Sequence, residues 1–452
     1  MIHTMDFYSN RTLFTLMNKE KTEQPDSPNI HLHLQIQTHN KETNEQDVLP
    51  FSPSFPQSPW TLSPLHSPSP SLLYHCIASL HRHHGNIFSI AISKGFVFTG
   101  SNSSRIRVWK QPDCIDKGYL KSSSGDVRSI IAYNNMVFTT HKDQKVRIWN
   151  FNFSETFKSK KVATFPKRRK INTVLNFNRA KNITKKQSDS VSCMAYYHSE
   201  GILYTGSHYK TVKAWKISDK KCVEFDSFLA HEDRVNDILV NQDDGCVFTC
   251  SCDGSVKIWR RVYTEKSHTL TMTLKFQPSP VNALALSSCL NHCFLYSGCS
   301  DGMINIWEKE RLCYRFNHGG FLKGHRFAVL CVVTVGNMVF SGSEDTTIRV
   351  WRREKGSCYH ECLMVLEGHR GPVRCLSACL EMEKVVMGFL VYSGSLDQTF
   401  KVWRIKVFSE DENIDVDGND NGDGRVKIRE FDMSPVLSPS WVEKKIQGSP
   451  FQ

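Results

Sequence analysis

The sequence predicts an all-β chain, a single seven-bladed β-propeller with a tail at each end, and three observations support this prediction. One short pattern, a small residue and a polar turn followed by a strand that ends in tryptophan, recurs seven times at Trp109, Trp149, Trp215, Trp259, Trp307, Trp351 and Trp403. Most copies are about forty residues apart, which is typical of a four-stranded propeller blade. Each copy has β-branched residues in its strand and Asp or Ser in its turn, which favours strand, turn and strand.

The clearest copy is Ser341–Trp351, in which Glu344 and Asp345 form the turn. A Gly-His pair at residues 324–325 and an apolar strand at residues 328–333 precede it. Comparable pairs precede two other copies, at residues 230–231 and 368–369. This layout resembles the WD-repeat (WD40-type) family over residues 72–408, and the resemblance implies a closed ring of seven blades.

The resemblance also implies a buried hydrogen-bond chain of His, Ser or Thr, Asp and Trp within a blade. Three repeats have the whole set, namely His231, Thr249, Asp253 and Trp259, then His325, Ser341, Asp345 and Trp351, then His369, Ser393, Asp397 and Trp403. The other four depart from it at Ser103, at Ser123, at Gln187 and Tyr209, and at Gln277. Because these residues recur at blade spacing, we interpret them as structural and not as catalytic.

One family feature is missing, because the Asp that usually follows the Trp is absent from all seven repeats. Lys110, Asn150, Lys216, Arg260, Glu308, Arg352 and Arg404 stand there instead. Within the family the chain is most similar to the plant JINGUBANG-like proteins. The similarity lies in the repeats THKDQKVRIW, GSHYKTVKAWKISDKKC and CSCDGSVKIW and in a long basic insertion after the first of these. It implies a plant regulatory protein.

The repeats predict that the chain has three parts, a first tail, a propeller and a second tail. Residues 1–70 form a disordered tail rich in Ser-Pro, which is either a substrate of proline-directed kinases or a spacer. Residues 71–408 form the propeller, and residues 72–80 are expected to close it as the outer strand of the last blade, unless residues 405–408 supply that strand. Residues 409–452 form an acidic, disordered tail. Residues 419–430 match a calcium-loop pattern but lack its flanking helices, so calcium binding stays open.

A basic insertion at residues 166–190 is the strongest irregularity. Trp149 and Trp215 are 66 residues apart, whereas the next interval is 44. Residues 151–190 hold eleven Lys or Arg and two acids, a net charge of +9. We predict that Lys167, Arg168, Arg169 and Lys170 form a partner site on the upper face, and the same run matches a nuclear-localisation pattern. The alternative is a solvated loop without a partner.

Composition indicates an intracellular protein, cytoplasmic or nuclear. The N-terminus is a poor signal peptide, and no stretch reaches the roughly 18 apolar residues of a membrane span. The 16 cysteines are expected to be reduced and to bind no metal.

We predict a non-enzymatic scaffold or regulatory adaptor for protein–protein interactions, with no cofactor and no membrane contact, which acts as a monomeric propeller within complexes. One alternative is the substrate receptor of a ubiquitin ligase. Such receptors carry an Arg three residues after a repeat Trp, but Val262 and Glu354 stand at that distance here. The other alternative is a nucleic-acid-associated factor that binds through the insertion.

Overall fold

The structure is a computed structural model that describes nine stretches of the chain: residues 72–81, 85–153, 157–166, 190–218, 221–289, 292–310, 315–354, 357–382 and 387–407. These residues form 28 strands in seven four-stranded antiparallel sheets, and no helix is found among them. The predicted seven-bladed propeller is therefore confirmed. Residues 1–71, 167–189 and 408–452 lie outside the described residues, so the limits predicted for both tails stay predictions.

Six blades use four consecutive strands, which we call a to d from the inside of the ring outwards. Blade 1 has β2 (Ile87–Ser93), β3 (Phe96–Ser101), β4 (Arg105–Lys110) and β5 (Ile115–Lys121). Blade 2 has β6 (Val127–Tyr133), β7 (Met136–His141), β8 (Val146–Phe153) and β9 (Phe157–Phe165). Blade 3 has β10 (Val191–Tyr197), β11 (Ile202–Ser207), β12 (Thr211–Ile217) and β13 (Cys222–Leu229).

The remaining blades repeat this order, except that the last one takes its outer strand from the start of the fold. Blade 4 has β14 (Val235–Val240), β15 (Val247–Ser251), β16 (Val256–Val262) and β17 (Ser267–Leu274). Blade 5 has β18 (Val281–Cys289), β19 (His292–Cys299), β20 (Met303–Lys309) and β21 (Phe316–Lys323). Blade 6 has β22 (Val329–Val335), β23 (Met338–Ser343), β24 (Ile348–Arg353) and β25 (His360–Leu366). Blade 7 has β26 (Val373–Met382), β27 (Met387–Ser395), β28 (Thr399–Val407) and β1 (Leu72–His81).

Strand β1 closes the ring, as the sequence predicted. It pairs antiparallel with β28, and Tyr74 lies opposite Ile405. Ile405 therefore belongs to strand c of blade 7, and the alternative in which residues 405–408 form a fourth strand is wrong. The inner strands of blades 7 and 1 also pack against each other. The overlap of the two ends of the fold supplies the fourth strand of blade 7, so the edge of β28 is paired.

The core consists of seven apolar clusters, each shared by two neighbouring blades. Each cluster contains the Trp of the following blade. Trp259 of blade 4 packs with Tyr204 and Val212 of blade 3, and Trp403 of blade 7 packs with Phe340 of blade 6. The seven indoles are between 3% and 7% exposed. The repeated Trp is therefore a contact between blades as well as a part of its own sheet, which explains why it is kept in every copy.

Close packing also explains the Gly of the Gly-Ser turn. A Cβ on Gly342 would lie 2.6 Å from Cγ1 of Val373 in the inner strand of the next blade, and one on Gly394 would lie 2.5 Å from Cγ2 of Ile87. Real Cβ atoms do not approach so closely, so only glycine lets the inner strands pack at this spacing.

Side chains of the inner strands bond one blade to the next. Ser89 Oγ accepts from the amide of Ile130 at 2.9 Å, and Asn282 donates to the carbonyl of Val329 at 3.0 Å. Asp237 Oδ2 accepts from the amide of Leu284 at 2.9 Å. Because buried polar groups with complete hydrogen bonds favour one arrangement, these contacts make the ring a rigid support for its loops.

The strand order defines two faces. The b–c turns and the d–a connections lie on one face, which we call the upper face, and the a–b and c–d connections lie on the opposite, lower face. The insertion is the d–a connection between blades 2 and 3, so both of its ends lie on the upper face, as predicted. Strand β28 ends on the lower face, where Leu72 and Val407 are opposite each other, so both tails join the fold there.

Candidate functional site

The predicted hydrogen-bond chain is present in blade 6. Trp351 Nε1 donates to Ser341 Oγ at 2.9 Å, and the same oxygen lies 2.8 Å from Nε2 of His325. His325 Nδ1 lies 2.9 Å from Oδ2 of Asp345. That carboxylate also accepts from the amide of Arg326 at 3.0 Å and from the amide and hydroxyl of Thr347 at 3.0 and 2.6 Å. The His ring thus connects the turn to the Trp through one continuous chain.

The structure brings the same four residue types together in blades 4 and 7. His231 contacts Asp253 at 2.9 Å and Thr249 at 2.8 Å, and Thr249 accepts from Trp259 at 3.0 Å. The corresponding distances in blade 7 are 3.0 Å from His369 to Asp397, 2.7 Å from His369 to Ser393, and 2.9 Å from Trp403 to Ser393.

The electrostatics of these carboxylates fit a structural role. Burial disfavours the charge on Asp345, but hydrogen bonds from His325 and Thr347 outweigh it and hold the pKa of Asp345 well below its usual range. Burial likewise opposes ionisation of Asp253, yet Ser255 and His231 lower its pKa to about 2. Both carboxylates are therefore ionised at neutral pH and fully engaged by donors. A catalytic base needs a pKa near the working pH and access to substrate, so these groups are poor candidates for catalysis.

The four incomplete repeats keep the bond from the Trp to strand b. It measures 3.0 Å from Trp109 to Thr99, 2.9 Å from Trp149 to Thr139, 3.0 Å from Trp215 to Thr205 and 2.9 Å from Trp307 to Ser297. Tyr209, at the Asp position of blade 3, lies on the surface with 41% of its area exposed, and Gln187 is outside the described residues.

Blade 2 replaces the missing His with another one that sequence analysis did not identify. His141, at the end of strand b, places Nε2 2.9 Å from Thr139 Oγ1. The turn carboxylate, Asp143, binds Arg147 instead, at 3.0 Å, and Arg147 also donates to Ser123 at 3.2 Å. Burial and the nearby Arg147 lower the pKa of His141 to about 4, so its ring is neutral at neutral pH. The signal was available as TTH in a repeat position where other copies have TGS.

A second recurring polar contact joins adjacent blades. The hydroxyl of Tyr204 in blade 3 lies 3.1 Å from Nε2 of His268 in blade 4, and Tyr296 in blade 5 lies 2.8 Å from His360 in blade 6. Tyr392 in blade 7 accepts from Gln111 in blade 1 at 3.0 Å. The other four blades have Phe at this strand-b position, which is the residue before the Ser or Thr of the chain described above, namely Phe98, Phe138, Phe248 and Phe340.

The junction of blades 4 and 5 has an apolar pair where its two neighbours have Tyr and His. Phe248 and Phe316 meet edge to face with ring centroids 5.6 Å apart. Beside them a crevice of about 310 Å³ opens on the lower face, and we call it the lower crevice. Its wall includes Arg260, Lys309 and Arg315, and Lys309 Nζ lies 3.2 Å from Oδ2 of Asp244.

The upper face carries exposed apolar side chains on more than one blade. Leu229 of blade 3 is 69% exposed, and Phe327, in the connection between blades 5 and 6, is 60% exposed. The basic insertion joins the fold beside the first of these blades. Phe165, at one end, packs on Trp215, and Ser190, at the other end, accepts from the amide of His208 at 3.0 Å. The candidate residues Lys167, Arg168, Arg169 and Lys170 lie outside the described residues.

Two further observations concern metals and membranes. Cysteines of the described stretches such as Cys250 and Cys375 are free thiols, and no group of His, Cys, Asp or Glu there is arranged to hold a metal ion. Among the same residues, no helix has the length and apolar character needed to cross a membrane.

Comparison with known families identifies the class of protein. Four stretches match the WD domain, G-beta repeat (WD40), at residues 74–110, 268–308, 317–352 and 360–404. Residues 120–279 match the IP5P C-F β-propeller. Each WD40 match begins on strand d of one blade and ends on strand c of the next, which is the overlap that closes the ring at β1. The chain is therefore a β-propeller that contains WD40 repeats.

Curated relatives share only part of their length with this chain. Mitochondrial division protein 1 of Schizosaccharomyces pombe is 25% identical over 181 residues, which is 36% of this chain and 27% of that protein. Myosin heavy chain kinase C of Dictyostelium discoideum is 29% identical over 131 residues, which is 28% of this chain and 13% of that protein. An uncharacterized WD repeat-containing protein of S. pombe is 35% identical over 57 residues, which is 13% of this chain and 15% of that protein.

Proposed function

We propose that this propeller is a non-enzymatic scaffold that binds an acidic protein on its upper face, beside blade 3. The observation that supports the proposal is the position of the insertion. A segment with a net charge of +9 in residues 151–190 returns to the fold at Ser190, against His208. The neighbouring Tyr209 and Leu229 are exposed by 41% and 69%. Aromatic and aliphatic anchors beside complementary charges are what a protein interface needs.

The remainder of the molecule supports a scaffold and not an enzyme. In the described part of the chain, the His-Asp pairs of blades 4, 6 and 7 are committed to hydrogen bonds below the surface. The ring that supports the loops is bonded from blade to blade. Rigid strands that present variable loops suit recognition, and many unrelated functions use this fold in that way.

From the resemblance to the plant JINGUBANG-like proteins we propose that this protein and its partner form a regulatory complex. We place this complex in the cytoplasm and the nucleus. The basic run at Lys167–Lys170 fits nuclear import. Fluorescence microscopy of a tagged full-length chain tests this assignment. Replacement of the four residues by Ser should move the protein toward the cytoplasm, and an unchanged distribution would contradict the import function of this run.

The partner site is tested by affinity purification from the native source with two matched full-length variants. The first changes Lys167, Arg168, Arg169 and Lys170 to Ser. The control changes Lys158, Lys160 and Lys161 to Ser, since these are exposed lysines on the outer strand β9 and away from the upper-face loops. We expect the first variant to lose partner and the control to retain it, with equal melting temperatures for both.

Salt and nuclease distinguish the alternatives. Binding of the wild type should weaken with added salt, because the screening length is only about 10 Å at 0.1 M. Capture that survives nuclease supports a protein partner, whereas capture that nuclease abolishes would favour the nucleic-acid alternative. Undiminished binding by the four-residue variant excludes the site, and a large drop in its melting temperature would show that the insertion is structural. Val262 and Glu354, at the positions that matter for a ubiquitin-ligase receptor, give that alternative no support.

A further inference from the structure

The lower crevice exists because one junction of the ring differs from its neighbours. At the junctions of blades 3 with 4 and 5 with 6, a Tyr hydroxyl meets a His ring and an Arg lies beside them on strand c, Arg261 and Arg353 respectively. Arg353 is only 4% exposed and stacks on Phe294 at 4.3 Å, so it fills its junction. At the junction of blades 4 and 5 the equivalent positions hold Phe248, Phe316 and Lys309. Lys309 pairs with Asp244 at the rim, and the space beside the Phe pair stays open.

The crevice combines an apolar floor with a cationic rim. Phe248, Ile258 and Phe316 are buried side chains that form the floor, together with Met272. Arg260 and Arg315 lie at the exposed rim. Three cations and one carboxylate, Asp244, line the crevice, which gives a net charge of +2. Its volume of about 310 Å³ suits one or two side chains and lies at the lower limit of ordinary ligand pockets. The chemistry therefore favours a peptide in which aliphatic residues alternate with carboxylates.

The chain itself contains a segment of this kind. Residues 409–424, which we call the acidic segment, hold seven acids and no base: Glu410, Asp411, Glu412, Asp415, Asp417, Asp420 and Asp423. Ile414 and Val416 alternate with acids in its first half. We propose that the lower crevice binds this acidic segment, with an aliphatic side chain against the Phe pair and carboxylates at Arg260 and Arg315. The interaction lies on the opposite face from the proposed partner site and does not depend on it.

The connectivity favours the crevice over the basic insertion as the binding site. Strand β28 ends at Val407 on the lower face. The crevice lining includes Asp244 of the a–b turn of blade 4, Lys309 at the end of strand c of blade 5 and Arg315 just before strand d, and these also lie on that face. Residues 414–423 are seven to sixteen positions beyond Val407, a reach of about 25–55 Å in extended chain. Ile414 and Val416, seven and nine positions beyond Val407, reach about 25–30 Å, which covers the lower face within about half the width of a compact domain of this size, and Asp420 and Asp423 reach farther. The insertion lies on the upper face.

The test uses a fluorescein-labelled synthetic peptide of residues 409–424 and the full-length chain. The protein that binds the peptide carries Asn or Gln in place of the seven acids, so that its own acidic segment does not compete with the peptide. We expect saturable binding by fluorescence anisotropy, weakened at least tenfold by Arg315→Glu in the same protein. Replacement of Lys167, Arg168, Arg169 and Lys170 by Ser should leave the affinity unchanged. Arg315 is exposed, so Arg315→Glu should keep the melting temperature of its parent.

Two further arms examine the apolar contact and the occupant. A peptide with Ile414→Asn and Val416→Asn has the same charge as the unchanged peptide and should bind at least fivefold more weakly than it. Equal affinity of the two peptides would mean that only unspecific charge attraction holds them, and it would overturn the proposal. Wild-type protein should bind the labelled peptide more weakly than the amide variant, because a tethered segment competes at an effective concentration near the millimolar range. Equal binding by these two proteins would show that the tethered segment does not occupy the crevice. Loss of binding with the insertion variant, and not with Arg315→Glu, would place the segment on the upper face.

Discussion

The Asp345→Ala variant tests whether the hydrogen-bond chain stabilises a blade. The change removes the acceptor for the His325 ring, whose side chain is fully buried, and for the amides of Arg326 and Thr347. A buried donor left unpaired costs about 1–3 kcal/mol. The turn amides can rebind water, and their loss adds about 0.5–1.5 kcal/mol. We therefore expect the free energy of unfolding to fall by about 2–4 kcal/mol at pH 7, where Asp345 is ionised.

The matched control is Asp301→Ala in blade 5. Asp301 occupies the same turn position and accepts from the amide of Met303 at 2.9 Å, but Gln277 replaces the His of that repeat. Only the turn bond is lost there, so the expected cost is about 0.5–1.5 kcal/mol. Urea unfolding of both variants, followed by the fluorescence of the buried indoles, measures the two values. If Asp345→Ala costs no more free energy than Asp301→Ala, the link through His325 adds no stability, and our explanation of the hydrogen-bond chain is wrong.

Three further predictions concern the junctions, the inner strands and the closure of the ring. Tyr296→Phe and His360→Phe should each cost about 1–3 kcal/mol, because each removes the hydrogen bond between the two side chains. The double variant, which copies the Phe pair of blades 4 and 5, should cost at least about 1 kcal/mol less than the sum of the two single variants, and additive values in urea unfolding would contradict the pairing. Burial raises the pKa of Asp237 from 3.8 to about 6, so the wild-type protein loses stability as the pH rises through that interval. The stability of Asp237→Asn relative to wild type should therefore increase by about 1–3 kcal/mol between pH 4 and 7. A stability difference that does not depend on pH would refute the shift. Deletion of residues 1–81 removes β1 and should cause aggregation in light scattering, whereas deletion of residues 1–70 should leave the melt unchanged.

The repeated features of the fold could be predicted because each has the same local cause in every copy. The Trp lies ten positions after its Ser or Thr in all seven blades, and the structure joins these two side chains every time. The closure of the ring followed from the need to pair the edge of β28. A fixed spacing within one repeat requires the same backbone path, so the residues of one copy predict the geometry of the others.

Contacts between repeats could not be predicted in the same way. Tyr296 and His360 are 64 positions apart, and nothing in the repeat pattern of either one requires the other. His141 was missed for a related reason, because it reaches the chain from strand b and not from the usual d–a connection. Whether a polar residue at such a position has a partner depends on which blades are neighbours, and that is settled only by the assembled ring.

The lower crevice shows why a departure from the repeat indicates function more strongly than the repeat does. At the junctions on both sides of the crevice, a bonded Tyr-His pair occupies the position that the Phe pair takes here. The Phe pair keeps the apolar packing there, so the ring loses little stability, and it leaves space beside Lys309. Because a substitution at this junction costs the fold little stability, the residues there can change while the ring stays closed. This junction therefore differs from its two neighbours at little cost to the ring, which is why we propose it as the site that binds a ligand.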